Sequence, residues 1–201
     1  PFIVDSINNA LRSYGIENKL LICSTFASSD KENDTVCKVG VIQFYSRNLF
    51  DEKFYDNLRK NLSEVLDCVD LVVQNWQKMR ANLDYYTKRH CLVSKPNHCN
   101  ISEEEISFLK FLLEGNFIFL GYGLASIEDN SIAKIIKNES IGLLENKQFK
   151  KPYEALKGLK LLDRCIDIQK SRIVSNVHRK SSMLRISIRF YDEVKKSEFV
   201  H

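Results

Sequence analysis

The chain has 201 residues, 44% hydrophobic and 28% charged, with seven glycines and three prolines. That composition excludes collagen-like, low-complexity and intrinsically disordered classes. At this length roughly 70% of the unfolded chain's surface can be buried on folding, enough for a core without staples. Thirty basic against 26 acidic side chains leave a net charge of +4, too mild a field to select nucleic acid or an anionic membrane.

The opening Pro1-Phe2-Ile3-Val4 carries no Met, and the chain reads as a piece of something larger. No basic leader precedes an apolar stretch, so no secretory signal is expected. Apolar runs such as Phe117 to Leu120 are far shorter than the roughly 20 residues of a membrane-spanning helix. Six cysteines, Cys23, Cys37, Cys68, Cys91, Cys99 and Cys165, form no C-x-x-C pair. Their scatter and apolar settings predict reduced thiols packed as small hydrophobes, in the cytoplasm.

Asp5 to Gly15 predicts a short helix, with Asp5 or Ser6 capping its first N–H groups and Gly15 forming its left-handed end. Residues 19–26 form a buried-strand pattern, Ser28 to Asp34 a loop, and Val36 to Tyr45 a second strand with Val39, Val41 and Phe44 on one side. The short span between the strands predicts an antiparallel hairpin. Apolar residues at three- and four-residue steps follow, from Phe54 through Leu58, Leu62, Val65, Leu66, Val69, Val72, Val73, Trp76 and Met79 to Leu83. They predict a helix of about eight turns with Trp76 and Met79 in the core. It runs out at Lys88-Arg89-His90, where cations suit the negative end of the helix dipole.

Residues 90–101 lack periodicity and read as a linker. Ser102-Glu103-Glu104-Glu105 then has the form of a capping box, ahead of a helix with Ile106, Leu109, Leu112 and Leu113 on its apolar face and Gly115 at its end. Residues 117–127 predict a long central strand, residues 132–136 a neighbouring one, and residues 147–157 a basic, exposed connection. Further strands are expected over 165–169, 172–177 and 183–191. In the last, Leu184, Ile186, Ile188 and Phe190 alternate with Arg185, Ser187, Arg189 and Tyr191, placing the basic residues outward.

Little of this is catalytic. His90-Cys91 and His98-Cys99 offer four soft ligands, but adjacent residues do not readily share one ion and zinc-site spacing is absent, so no metal is expected. Gly121-Tyr122-Gly123 lacks a third glycine at Ser126 and does not open a helix, so the dinucleotide fingerprint fails. No serine sits in a nucleophile elbow. His178 has the chemistry of a ligand contact, though a polar strand end fits its pattern better. Arg185 and Arg189 beside Phe190 and Tyr191 have the chemistry to stack bases, yet the mild charge favours a solvated edge face. The residues alone describe a binding or interaction module with no catalytic group.

Several motifs nevertheless occur in order across nearly the whole chain. Pro1-Phe2-Ile3-Val4-Asp5-Ser6-Ile7 resembles the P-F-L-V-D-S-V opening of the very large bacterial NAD-specific glutamate dehydrogenases. Trp76-Gln77-Lys78-Met79 is similar to their D-W-x-x-M helix end, with Asn75 in place of the acid. Phe108-Leu109-Lys110-Phe111-Leu112 and Asn116-Phe117-Ile118-Phe119-Leu120-Gly121-Tyr122 resemble the F-L-x-W-L and F-x-F-L-G-Y block, with Phe111 at the family's aromatic position and Gly123 replacing a usual Arg. Ser175-Asn176-Val177-His178-Arg179 and Arg189-Phe190-Tyr191-Asp192 resemble later family segments.

The resemblance implies an α+β fold in two modules. Residues 1–89 would form an ACT-like βαββαβ unit lacking its first strand, joined by the 90–101 linker to a PAS-like module with an antiparallel sheet over 102–201. It implies a regulatory and assembly region, without cofactor of its own, of an enzyme that uses NAD to deaminate glutamate to 2-oxoglutarate and ammonia. The implied partners are other domains of the same chain, further copies of the parent enzyme and an amino-acid effector, with no nucleic acid and no membrane. In ACT-type units the loop before the first helix binds small ligands, which points to Asp5, Ser6 and Asn8. The competing expectation for Asp5 and Ser6 is simple helix capping. The competing function is a standalone ligand-sensing or interaction module without enzyme activity.

Overall fold

The computed structural model describes residues 2–16, 21–30, 35–44, 50–92, 101–128, 132–136, 139–149, 165–192 and 197–200. Helices combine with small antiparallel sheets in an α+β arrangement. Two compact units are present: Pro1–Leu66 with Asn176–Lys180, and Asp67–Ser175 with Ser181–His201.

In the first unit, helix α1 spans Ile3–Ser13 and buries Ser6, Ile7, Ala10 and Leu11, one row of its surface. Its end follows the sequence. Gly15 takes a φ of 71°, Ile16 N–H donates to Leu11 O at 3.1 Å and Gly15 N–H to Arg12 O at 3.0 Å. This is a Schellman ending, and Ile16 packs with Leu11 in the core, as that motif favours. Strands β1 (Leu21–Asp30) and β2 (Thr35–Phe44) pair antiparallel, as the hairpin pattern predicts, from Leu21 opposite Phe44 to Asp30 opposite Thr35. The strands therefore enter the stretch read as loop. The inward side of β2 also differs from expectation, since Ile42 and Phe44 reach the core while Val41 is exposed.

Helix α2 spans Glu52–Leu92, 41 residues, and contributes to both units. Asp51 starts it by accepting Phe54 N–H at 2.7 Å. Its first turns supply Phe54, Leu58 and Leu62 to the first core, where Phe50 stacks on Phe54. Further along, Cys68, Val69, Val72, Met79 and Leu83 are buried, but Trp76 is 43% exposed. The stripe is wider than the face the protein covers, so the Trp76 ring at its margin is left outside the core.

The second unit holds helix α3 (Glu103–Phe111), which begins with the expected capping box. Ser102 Oγ accepts Glu105 N–H and Glu105 Oε2 accepts Ser102 N–H. A π-type turn over Leu112–Asn116 follows, broken at Gly115 with a φ of 90°. The long strand predicted over 117–127 is instead divided into β3 (Gly121–Tyr122) and β4 (Ala125–Glu128). Phe117 and Phe119 pack on the core while Ile118 is exposed. Side chains thus alternate as in a strand, but the ladder itself is absent from residues 117–120.

β5 (Ile132–Ile135) pairs with β4, and β6 (Ile141–Gly142) pairs with β3. β7 (Ile166–Val174), β8 (Ser182–Asp192) and β9 (Ser197–Val200) complete a five-stranded antiparallel sheet of order β5-β4-β9-β8-β7. β7 replaces two predicted strands: its register with β8 shifts between Lys170 and Val174 without ending the strand. Leu109 of α3 and Leu112 of the π-type turn pack against Ile166 and Ile188, with Leu83 of α2 in the same core.

Four further expectations change. Phe149, in the stretch read as an exposed connection, is buried, while residues 150–157 lie outside the described set. The outward face of β8 is partly covered: Ser187 is buried, and Arg185 donates to Gln169 Oε1 at 2.6 Å beside Asp167. Cys165, expected as a reduced thiol, is disulfide-bonded, because scatter along the chain says nothing about proximity in space. Cys68 keeps its thiol and lies 3.5 Å from Asn146 Nδ2. The expected linker overlaps the end of α2, which continues to Leu92; Cys99 and His98 lie outside the described residues.

Candidate functional site

Among the described residues the densest long-range polar cluster lies in the first unit, where the first turns of α1 meet residues 176–180. Ser6 is fully buried. Its Oγ donates to Phe2 O at 2.6 Å and accepts His178 N–H at 2.8 Å. Asp5 Oδ2 lies 2.9 Å from His178 Nδ1, and Asn9 Nδ2 donates to His178 O. The Phe2 ring leans on the His178 imidazole, centroids 5.3 Å apart. Val177 beside it is buried.

This geometry replaces the capping role considered for Asp5 and Ser6. The N-cap is Phe2, with no side-chain cap bond. Asp5 and Ser6 therefore stand inside the helix, where the carboxylate still suits the positive end of the dipole. Ser6 is too deep to cap and returns its hydroxyl proton to a carbonyl four residues earlier. Of the three residues singled out from sequence, Asp5 and Ser6 join the cluster and Asn8 is half-buried on the same helix. Asn9 and His178 complete it. His178 occupies the loop between β7 and β8 with a φ of 61°, rather than a strand end. Its sequence signal was the Ser175-Asn176-Val177-His178-Arg179 motif; nothing in local pattern links Asn9 to it.

Chemically, an aspartate on the Nδ1 of a histidine orients the ring, as in hydrolytic triads. Here the only hydroxyl in the described cluster, Ser6 Oγ, bonds to the backbone of His178 and to Phe2 O, not to the imidazole. It is in no position to lose a proton to that ring, so the cluster does not form a nucleophile–base pair. The Asp5 side chain is 56% exposed and that of His178 25%, leaving the outer edge of the pair open to solvent.

Among the described residues, no three His, Cys, Asp or Glu side chains are grouped to hold a metal ion. No described helix is long and apolar enough to cross a membrane. No family model and no curated protein matches the chain.

Proposed function

We propose that the chain belongs to the non-catalytic regulatory and assembly region of a large NAD-dependent glutamate dehydrogenase. In this reading its two parts are an ACT-like unit and a PAS-like α+β module, and NAD binds elsewhere in the parent enzyme, which works in the cytoplasm. The reading rests on the ordered motif resemblance. The observation that carries it furthest is that two of those motifs meet: residues 2–7 and 175–179 make mutual hydrogen bonds through Asp5, Ser6 and His178. Motifs held together for a shared structural reason have cause to persist together in a family.

The α+β arrangement accords with such a module, and the partly exposed Asp5–His178 pair supplies polar groups for an amino-acid effector. Calorimetric titration of the chain with a panel of amino acids tests sensing directly. A saturable heat that Asp5→Ala abolishes is the expected result; silence across the panel leaves assembly alone. Reading the gene downstream of His201 tests the parent: a stop within a few codons, or no nucleotide-binding domain, removes the dehydrogenase reading in favour of a standalone module.

A further inference from the structure

Phe2 and His178 are the only non-glycine residues with positive φ among those described, at 72° and 61°. They touch each other. A left-handed conformation disfavours each L-residue by roughly five- to thirtyfold, so it persists only where other contacts impose it. Those contacts are visible. The Phe2 carbonyl accepts both Ser6 N–H and Ser6 Oγ–H. His178 is held at its N–H by Ser6, at its carbonyl by Asn9 and at its ring by Asp5. At the base of the loop, Ser175 N–H donates to Ser181 O at 2.9 Å.

We infer that residues 176–180 form a strained clasp on α1, a two-state device that opens as one piece while the core of its unit stays folded. In the closed state the hydrogen bonds and the buried Val177 hold two left-handed residues. In the open state both backbones relax to negative φ, so strain release offsets part of the lost bonding. Ser6 is the pivot, because its single hydroxyl serves both sides. The inference shares the Ser6–His178 contact with the dehydrogenase reading but not the motif resemblance on which that reading rests, so failure of the two-state opening leaves the resemblance untouched.

Native-state hydrogen exchange on the full 201-residue chain tests it, comparing the His178 amide with that of Leu58 in the same unit's core. The expected result is that His178 exchanges through an opening insensitive to low denaturant, while Leu58 follows global unfolding. Asn9→Ala, which removes one tie without emptying the core, should speed His178 exchange by about five- to tenfold and leave Leu58 unchanged. His178 exchanging in step with Leu58 at every denaturant concentration, exchanging without protection, or ignoring Asn9→Ala would each overturn the clasp.

Discussion

Asp5 Oδ2 and His178 Nδ1 lie 2.9 Å apart across 173 residues of sequence. The contact is anchored less by that pair than by Ser6 beneath it, which is fully buried while Asp5 is exposed. Ser6→Ala removes the acceptor of His178 N–H and one donor to Phe2 O. It should destabilise the protein by about 1–3 kcal/mol. Asp5→Asn, at a solvated site, should cost at most about 1 kcal/mol. Urea unfolding midpoints of the two variants check the ranking.

How much of this was legible in the sequence depends on the range of the interaction. The Ser102–Glu105 box and the Gly15 ending are written within three or four residues, and both form as read. The α2 periodicity fixed the helix but not its burial, since the margin holding Trp76 is decided by how far the neighbouring elements reach. The division of 117–127 into β3 and β4 was hidden because its cause is remote: Gly142 must lie against Leu120 and Gly121. At the candidate site the start of α1 points to Asp5 and Ser6, with capping as the competing role, while Asn9 carries no local signal. Only tertiary contact with His178 gives these residues a common purpose.

The capping box gives a local test. Ser102→Ala leaves Glu105 N–H without its side-chain acceptor, and about 1 kcal/mol of stability should be lost. Glu105→Gln keeps an acceptor for Ser102 N–H, so most of the box survives and a smaller loss is expected. Thermal unfolding of the two variants separates the outcomes.

Burial along α3 and the turn that continues it predicts opposite consequences for neighbouring residues. Leu109 and Leu112 are essentially inaccessible and face Ile166 and Ile188. Truncating either to Ala should cost about 2–5 kcal/mol through lost transfer energy and a residual cavity. Phe111 between them is exposed and touches Phe117 edge-on. Phe111→Ala should cost no more than about 1.5 kcal/mol. Equal losses on denaturant unfolding would contradict the observed facing of α3.

Gly142 is where a single added carbon should do most harm. Its φ of 69° already disfavours an L-residue, and a Cβ there would stand 2.7 Å from Leu120 O. That carbonyl cannot retreat freely, because it accepts Leu143 N–H at 2.8 Å. The Gly121 Cα and Met79 Cε lie 3.2 Å and 3.3 Å from the same point. Strain and overlap together should make Gly142→Ala cost about 3 kcal/mol or more. Gly115 provides the control: its φ is 90°, yet nothing lies within 4 Å of an added Cβ. Gly115→Ala should therefore bear the conformational penalty alone, about 1–2 kcal/mol. If the two variants unfolded at the same denaturant concentration, close packing of β3 on β6 would not be what requires glycine at 142.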